Sequence, residues 1–185
     1  IFLALIAVVV LFSFLTNGIL LRPQNISNLI VQNGYILILA IGMVIVIVAG
    51  HIDLSVGSVA AFIGAVSGVL AVKMELPWWL AIIISLLIGA LVGAWQGFWI
   101  AYVGIPAFIV TLAGMLIFRG LALVVLGNVG DPGSPAVRKA LRSALADPDP
   151  ILRGTAVWAA RRLGCDDLLV TARTDPDPSV RAEFD

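Results

Sequence analysis

Residues 42–58 read GMVIVIVAGHIDLSVGS, an uncharged apolar run that ends at Gly50 and is broken by His51 and Asp53. Ser55, Gly57 and Ser58 follow, and a second apolar run begins. Both runs are long enough to cross a hydrocarbon layer of about 30 Å, which takes about 20 helical residues. The polar interruption between them has two readings. In the first it is non-helical backbone at membrane depth, which is tolerated only where protein buries it or where it lines a wet cavity. An ionisable residue such as Asp53 is costly there and marks a functional position. In the second it is an interfacial turn joining two spans. The residues alone leave both open.

Working outward, the chain divides by composition. Residues 1–127 carry three basic side chains (Arg22, Lys73, Arg119) and two acids (Asp53, Glu75), whereas residues 128–185 carry eight basic and nine acidic ones. The zero net charge is thus a sum over unlike parts and says nothing about partners. The apolar part predicts an all-α, polytopic bundle of five spans. Ile1 to Leu21 is uncharged, lacks a basic leader, and reads as a first membrane helix rather than a signal peptide. Arg22-Pro23 breaks it. Asn25 and Ser27 are candidate caps for an amphipathic entry into the second span, Leu29 to Gly50.

Leu54 to Val72 forms the third span, with a face of small residues (Gly57, Ser58, Ala61, Gly64, Ala65, Gly68) suited to close helix contact. Lys73, Glu75 and Pro77 make a polar turn, and Trp78 and Trp79 suit an interface. Leu76 to Phe118 has no charge and is too long for one span. It divides at Tyr102 to Pro106, with Pro106 at the first helical position of the fifth. Gly89 and Gly93 have helix-contact spacing. Gln96, Thr111 and Arg119 are secondary polar candidates: Thr111 is placed to bond back to its own helix and Arg119 to snorkel toward the boundary.

From Gly127-Asn128 the character changes. GNVGDPGSP is turn-rich, and beyond it DPDPILR at residues 147–153 returns as DPDPSVR at residues 175–181. Asp149 and Asp177 stand at N-cap positions, each with proline next. Leu152, Ala156, Ala159 and Leu163 share a helical face, as do Val137, Leu141, Ala144 and Leu145. The period predicts a short α-solenoid fragment over 128–185 following a transmembrane part over 1–127.

Three blocks carry a family resemblance: GHIDLSVGS at 50–58, RPQNISNLIVQNG at 22–34 and AWQGFWIAYVGIPAFIVTLAGMLIFRGL at 94–121. They resemble permease subunits of bacterial ABC importers for monosaccharides (ribose, galactose and xylose type), nearest to the multiple-monosaccharide branch. The likeness covers the N-terminal half of such a permease. It implies a multi-pass protein of the bacterial inner membrane working with a second permease copy, an ATP-hydrolysing subunit and a periplasmic sugar-binding protein. The cofactor ATP would be held by the partner, none by this chain. Asp53, Ser55, Gly57, Ser58 and His51 would then shape a helix break on the translocation pathway. The tail resembles HEAT-like repeats, most those of epoxyqueuosine reductase, without that enzyme's cofactor-binding part.

Catalysis in the chain itself is not expected. One His and one Cys, with no acid cluster beside them, leave no nucleophile–base–orienter set, and a lone cysteine builds no zinc site or internal disulfide. Half a permease joined to fewer than two repeats reads as a truncated or chimeric arrangement. The alternative function is a membrane-anchored module whose solenoid binds protein or RNA. Nine acids among the tail's arginines (Arg153, Arg161, Arg162) argue against a nucleic-acid footprint.

Overall fold

The computed structural model describes residues 2–184. Among them all regular structure is helical, and the chain forms two compact units, one up to His51 and one from Ile52 onward.

In the first unit, helix α1 (Phe2–Leu15) is followed by a 3₁₀ turn (Ile19–Leu21) and helix α2 (Pro23–Val48). Here the expectation of five spans is corrected, among the described residues, to four helices of spanning length: Pro23–Val48, Val56–Lys73, Trp78–Ala101 and Ala107–Val129. α1, described from Phe2 to Leu15, is not among them. It stops where Gly18 adopts φ 78° and returns its N–H to the Ser13 carbonyl. Only a residue without a Cβ takes that conformation freely. The entry to α2 also differs from expectation. Arg22 occupies the N-cap with Pro23 at the first turn, while the Asn25 side chain donates back to the Leu20 carbonyl. α2 ends in a Schellman motif, the Gly50 N–H on the Ile47 carbonyl and the His51 N–H on the Val46 carbonyl.

The second unit begins with α3 (Val56–Gly68), whose last turn widens into a π-helical segment (Val69–Lys73) before α4 (Trp78–Ala101) and α5 (Ala107–Val129). Pro106 caps α5 from outside instead of occupying its first position. α3 packs chiefly on α5 and then on α4, and Phe62 meets Phe118 with ring centroids 5.6 Å apart. Gly89 of α4 is a contact, since a Cβ there would stand 3.1 Å from Ile63 Cδ1, whereas Gly93 faces open space. Large apolar side chains remain outside, from Phe2 and Val31 to Trp78, Leu86 and Leu91. Such surface is what lipid covers when helices of this length cross a bilayer.

The tail contributes α6 (Pro135–Leu145), α7 (Pro150–Arg162), two 3₁₀ turns and the short α8 (Pro178–Ala182). Asp149 and Asp177 cap α7 and α8 through the Ile151 and Ser179 amides, each with proline at the first position. Leu141, Val157, Ala160, Cys165, Leu169 and Val180 form its core. That core is not closed by the tail alone. Leu123 of α5 packs with Leu152 and Ala156, and Leu126 with the main cluster. Gly127 permits the approach, because a Cβ there would lie 2.8 Å from Trp158 Cζ3 and 2.9 Å from Ala159 Cα.

Charge pairs repeat along the tail. Asp147 takes the Arg119 guanidinium of α5 at 3.0 Å, and Asp175 takes Arg153 through Nε at 2.7 Å and Nη2 at 2.9 Å. Arg153 Nη1 also holds the carbonyls of Asp147 and Pro148, and Arg181 does the same for Asp175 and Pro176. The hydrogen bond from Arg153 holds the Asp175 carboxyl below the usual carboxylate range, and bonds from Ser179 do so for Asp177. A carboxyl lowered on folding contributes stability above its ordinary value of about 3.9 and loses it as pH falls through the folded value.

Two predictions follow from this packing. Gly127→Ala loosens the tail from α5 by about 1–3 kcal/mol, because the backbone of α7 must move, and faster hydrogen exchange at residues 150–160 measures it. Acidification below about pH 4 lowers exchange protection over residues 147–182. In Asp175→Asn that loss is present at neutral pH and the acid profile is flatter; a profile unchanged from the parent contradicts the assignment.

Candidate functional site

Asp53 begins the site. Its Oδ1 accepts two bonds from one residue, the Ser55 N–H at 2.7 Å and the Ser55 hydroxyl at 2.7 Å. This short-range turn is the kind aspartate makes readily. It sets Ser55 at the N-cap of α3 with φ −87°. Ser58 donates to the Ser55 carbonyl at 2.7 Å, so the first turn of α3 is tied to the residue that starts it. Ser55 is 1% exposed and Ser58 7%.

Two neighbouring helices close on this turn. Gln96 of α4, 6% exposed, brings its Oε1 to 3.1 Å from Ser55 Oγ. Thr111 of α5 brings its hydroxyl to 2.9 Å from the Ala107 carbonyl of its own helix and 3.3 Å from the Ile52 carbonyl. A carbonyl before a helix start has no helical donor. Thr111 is the side chain within reach of this one. Gly114, one turn along α5 from Thr111, gives Gln96 its space: a Cβ there would stand 2.6 Å from Gln96 Nε2.

Of the residues singled out in the sequence, Asp53, Ser55, Ser58, Gln96 and Thr111 therefore come together. Gly57 is exposed, with nothing near the position of a Cβ. His51 closes the C-terminus of α2 through its backbone, and its side chain is exposed. Arg119 does not join the cluster. It lies two turns beyond Thr111 along α5, and its guanidinium is held by Asp147. Gly114 and Asp147 were not legible as partners, because each matters through a residue distant in sequence. Gly114 in TLAG carried a faint signal, a small residue three places after the polar Thr111.

The arrangement has hydrogen-bonding chemistry and no catalytic set. No group of three or more His, Cys, Asp or Glu side chains among the described residues could hold a metal. A cavity of about 310 Å³ lies away from the break, lined by Ala61, Ala65, Ala122 and Leu152 with Arg119 and Asp147 at its polar end.

Comparison with known proteins adds the relations. Residues 25–155 match the family model described as the branched-chain amino acid transport system / permease component. The xylose transport system permease protein of Escherichia coli strain K12 is 44% identical over 143 residues, 77% of this chain and 36% of that protein. The ribose import permease protein of Bacillus subtilis is 46% identical over 123 residues, 66% of this chain and 38% of that protein. The fructose import permease protein of Bifidobacterium longum is 37% identical over 108 residues, 58% and 32% respectively. The chain thus spans about a third of the length of the curated relatives it matches. No solved structure matches it.

The Asp53 turn is expected to be structural in the first instance. Asp53→Ala leaves the Ser55 amide and hydroxyl without their acceptor and costs about 1–3 kcal/mol. Asp53→Asn, which keeps a carbonyl acceptor, costs less. Thermal unfolding of the two variants in detergent checks the order.

Proposed function

The chain belongs to the family of branched-chain amino acid transport permease components, and from that premise we propose that it is the N-terminal part of a permease subunit in an ATP-driven monosaccharide importer of the bacterial inner membrane. The observation that carries the reading is a buried polar network, Asp53, Ser55, Gln96 and Thr111, set among helices long and apolar enough to span. Relatives named for xylose, ribose and fructose import support the substrate class, and one named as an inner membrane ABC transporter permease supports the location.

The partners under this reading are an ATP-hydrolysing subunit, a periplasmic sugar-binding protein and a second permease copy. Alternating access is the mechanism, with ATP bound and hydrolysed on the partner. The role of this chain is to keep the segment between α2 and α3 in one non-helical shape. Asp53 accepts the Ser55 N–H and Ser58 donates to the Ser55 carbonyl, while Gln96 of α4 meets the Ser55 hydroxyl and Thr111 of α5 lies beside the Ile52 carbonyl. The segment then stays defined as the surrounding helices move. Direct sugar contact is not assigned to Asp53.

The tail belongs to the same reading as a HEAT-like repeat fragment resting on α5. Its two DPDP turns, each with an aspartate cap and an arginine on the turn carbonyls, support that description. A membrane-anchored module binding protein or RNA is the less favoured alternative, since nothing in the sugar-permease relatives speaks for it.

The test is uptake of labelled xylose, ribose and fructose in cells that supply the ATPase, the binding protein and the rest of the permease subunit and carry this chain as its N-terminal part. Import of a monosaccharide above the empty-vector rate is expected, falling at least about 10-fold in Asp53→Ala, the effect of roughly 1.4 kcal/mol on the transport step. A variant that imports at the parental rate removes Asp53 from the pathway. Binding of RNA or protein by the chain without any sugar import would favour the alternative.

A further inference from the structure

The polar network at the start of α3 contains one proton too few for the contacts drawn around Ser55. Its hydroxyl lies 2.7 Å from Asp53 Oδ1 and 3.1 Å from Gln96 Oε1. Both of those oxygens are acceptors, and a serine hydroxyl donates once. The carboxylate takes that proton, because the contact is shorter and charge-assisted hydrogen bonds are the stronger kind. Two oxygens with no proton between them would then face each other at Gln96. Meanwhile Gln96 Nε2, a double donor, is buried with no partner, and it lies 2.6 Å from where a Cβ on Gly114 would stand.

Exchanging the two ends of the carboxamide leaves its shape unchanged and removes both faults. Nε2 then donates to Ser55 Oγ, and Ser55 donates onward to Asp53. Oε1 turns toward Gly114, where Cα–H groups make weak bonds to a carbonyl oxygen and an N–H finds no acceptor. A buried carbonyl short of a strong partner is also less rare than an orphaned donor. We propose that Gln96 is the positioning residue of the break: its amide donates to Ser55, Ser55 donates to Asp53, and Gly114 is the seat that receives the amide oxygen. The wiring gives a direction. Each bond polarises the next, so the donor on α4 strengthens the turn that starts α3. It also explains why a glycine stands at 114, since a methyl there would push Gln96 off the hydroxyl.

The inference builds on the reading of the break as part of a transport pathway, but its test does not depend on transport. In the full chain in lipid, with ¹⁵N in glutamine side chains and ¹³C in serine and glycine, dipolar recoupling is measured by solid-state NMR. The proposal expects Gln96 Nε2 to be dephased more strongly by Ser55 Cβ than by Gly114 Cα; the reverse order overturns it. A pair of variants gives a second arm. Gln96→Glu keeps an acceptor and loses the donor, and Gln96→Leu loses both. Both are expected to lower the unfolding midpoint by about 3 °C or more, to a similar extent. Gln96→Glu unfolding at the parental temperature would overturn the donor role, because an acceptor would then suffice. If either variant fails to fold, the NMR order on the parent chain decides. Absence of sugar uptake by the parent with the NMR order as proposed would leave the wiring standing and fault only the transport reading.

Discussion

Backbone polar groups that leave a helix among apolar neighbours must find partners inside the protein, and that constraint governs this molecule. Where the protein buries such a group, a free N–H or C=O costs free energy comparable to a lost hydrogen bond. Where α2 stops, the Schellman bonds of Gly50 and His51 satisfy its last carbonyls. Where α3 starts, Asp53 accepts from Ser55, and the Thr111 hydroxyl, bonded to the Ala107 carbonyl at 2.9 Å, stands 3.3 Å from the Ile52 carbonyl. Two helix ends are thus finished by different means, one by backbone geometry and one by side chains borrowed from α4 and α5. The second is the more specific. It makes the turn's shape depend on the placement of two other helices.

The same need for partners explains the tail. Its helices have ordinary soluble composition, and their apolar faces are covered only in part by one another. α5 supplies what is missing through Leu123 and Leu126, and Gly127 lets α7 come close. Arg119 then has a carboxylate at hand in Asp147, and a charge that would be expensive among apolar helices is paired. The arginines at the DPDP turns act similarly. Each collects carbonyls that proline, lacking an N–H, cannot help to satisfy.

Legibility in the sequence followed the range of each interaction. The N-caps Asp149 and Asp177 were readable because a cap acts two residues away, and they lie where the DPDP repeat put them. The apolar spans were readable because a run of uncharged residues has few alternatives to a buried or lipid-facing helix. The end of the first apolar run was misplaced: Ile1 to Leu21 is uncharged throughout, yet Gly18 turns the chain and α1 ends at Leu15. Composition is blind to such a stop. Arg119 was expected to snorkel toward a boundary, and its partner, Asp147, lies 28 places on, where no local rule would find it.

By itself the sequence determined the class of the protein, an all-helical chain rich in spans, and the place of its polar break around Asp53, because hydropathy and local turn chemistry are properties of neighbouring residues. Only the tertiary structure decided which polar groups meet. Gln96 is forty-one positions from Ser55 and Thr111 fifty-nine from Ile52, and no local rule relates residues that far apart. Packing brings them together, and Gly114 has a purpose only once Gln96 is beside it. The break is written in the sequence; what holds it is a matter of three helices packed together.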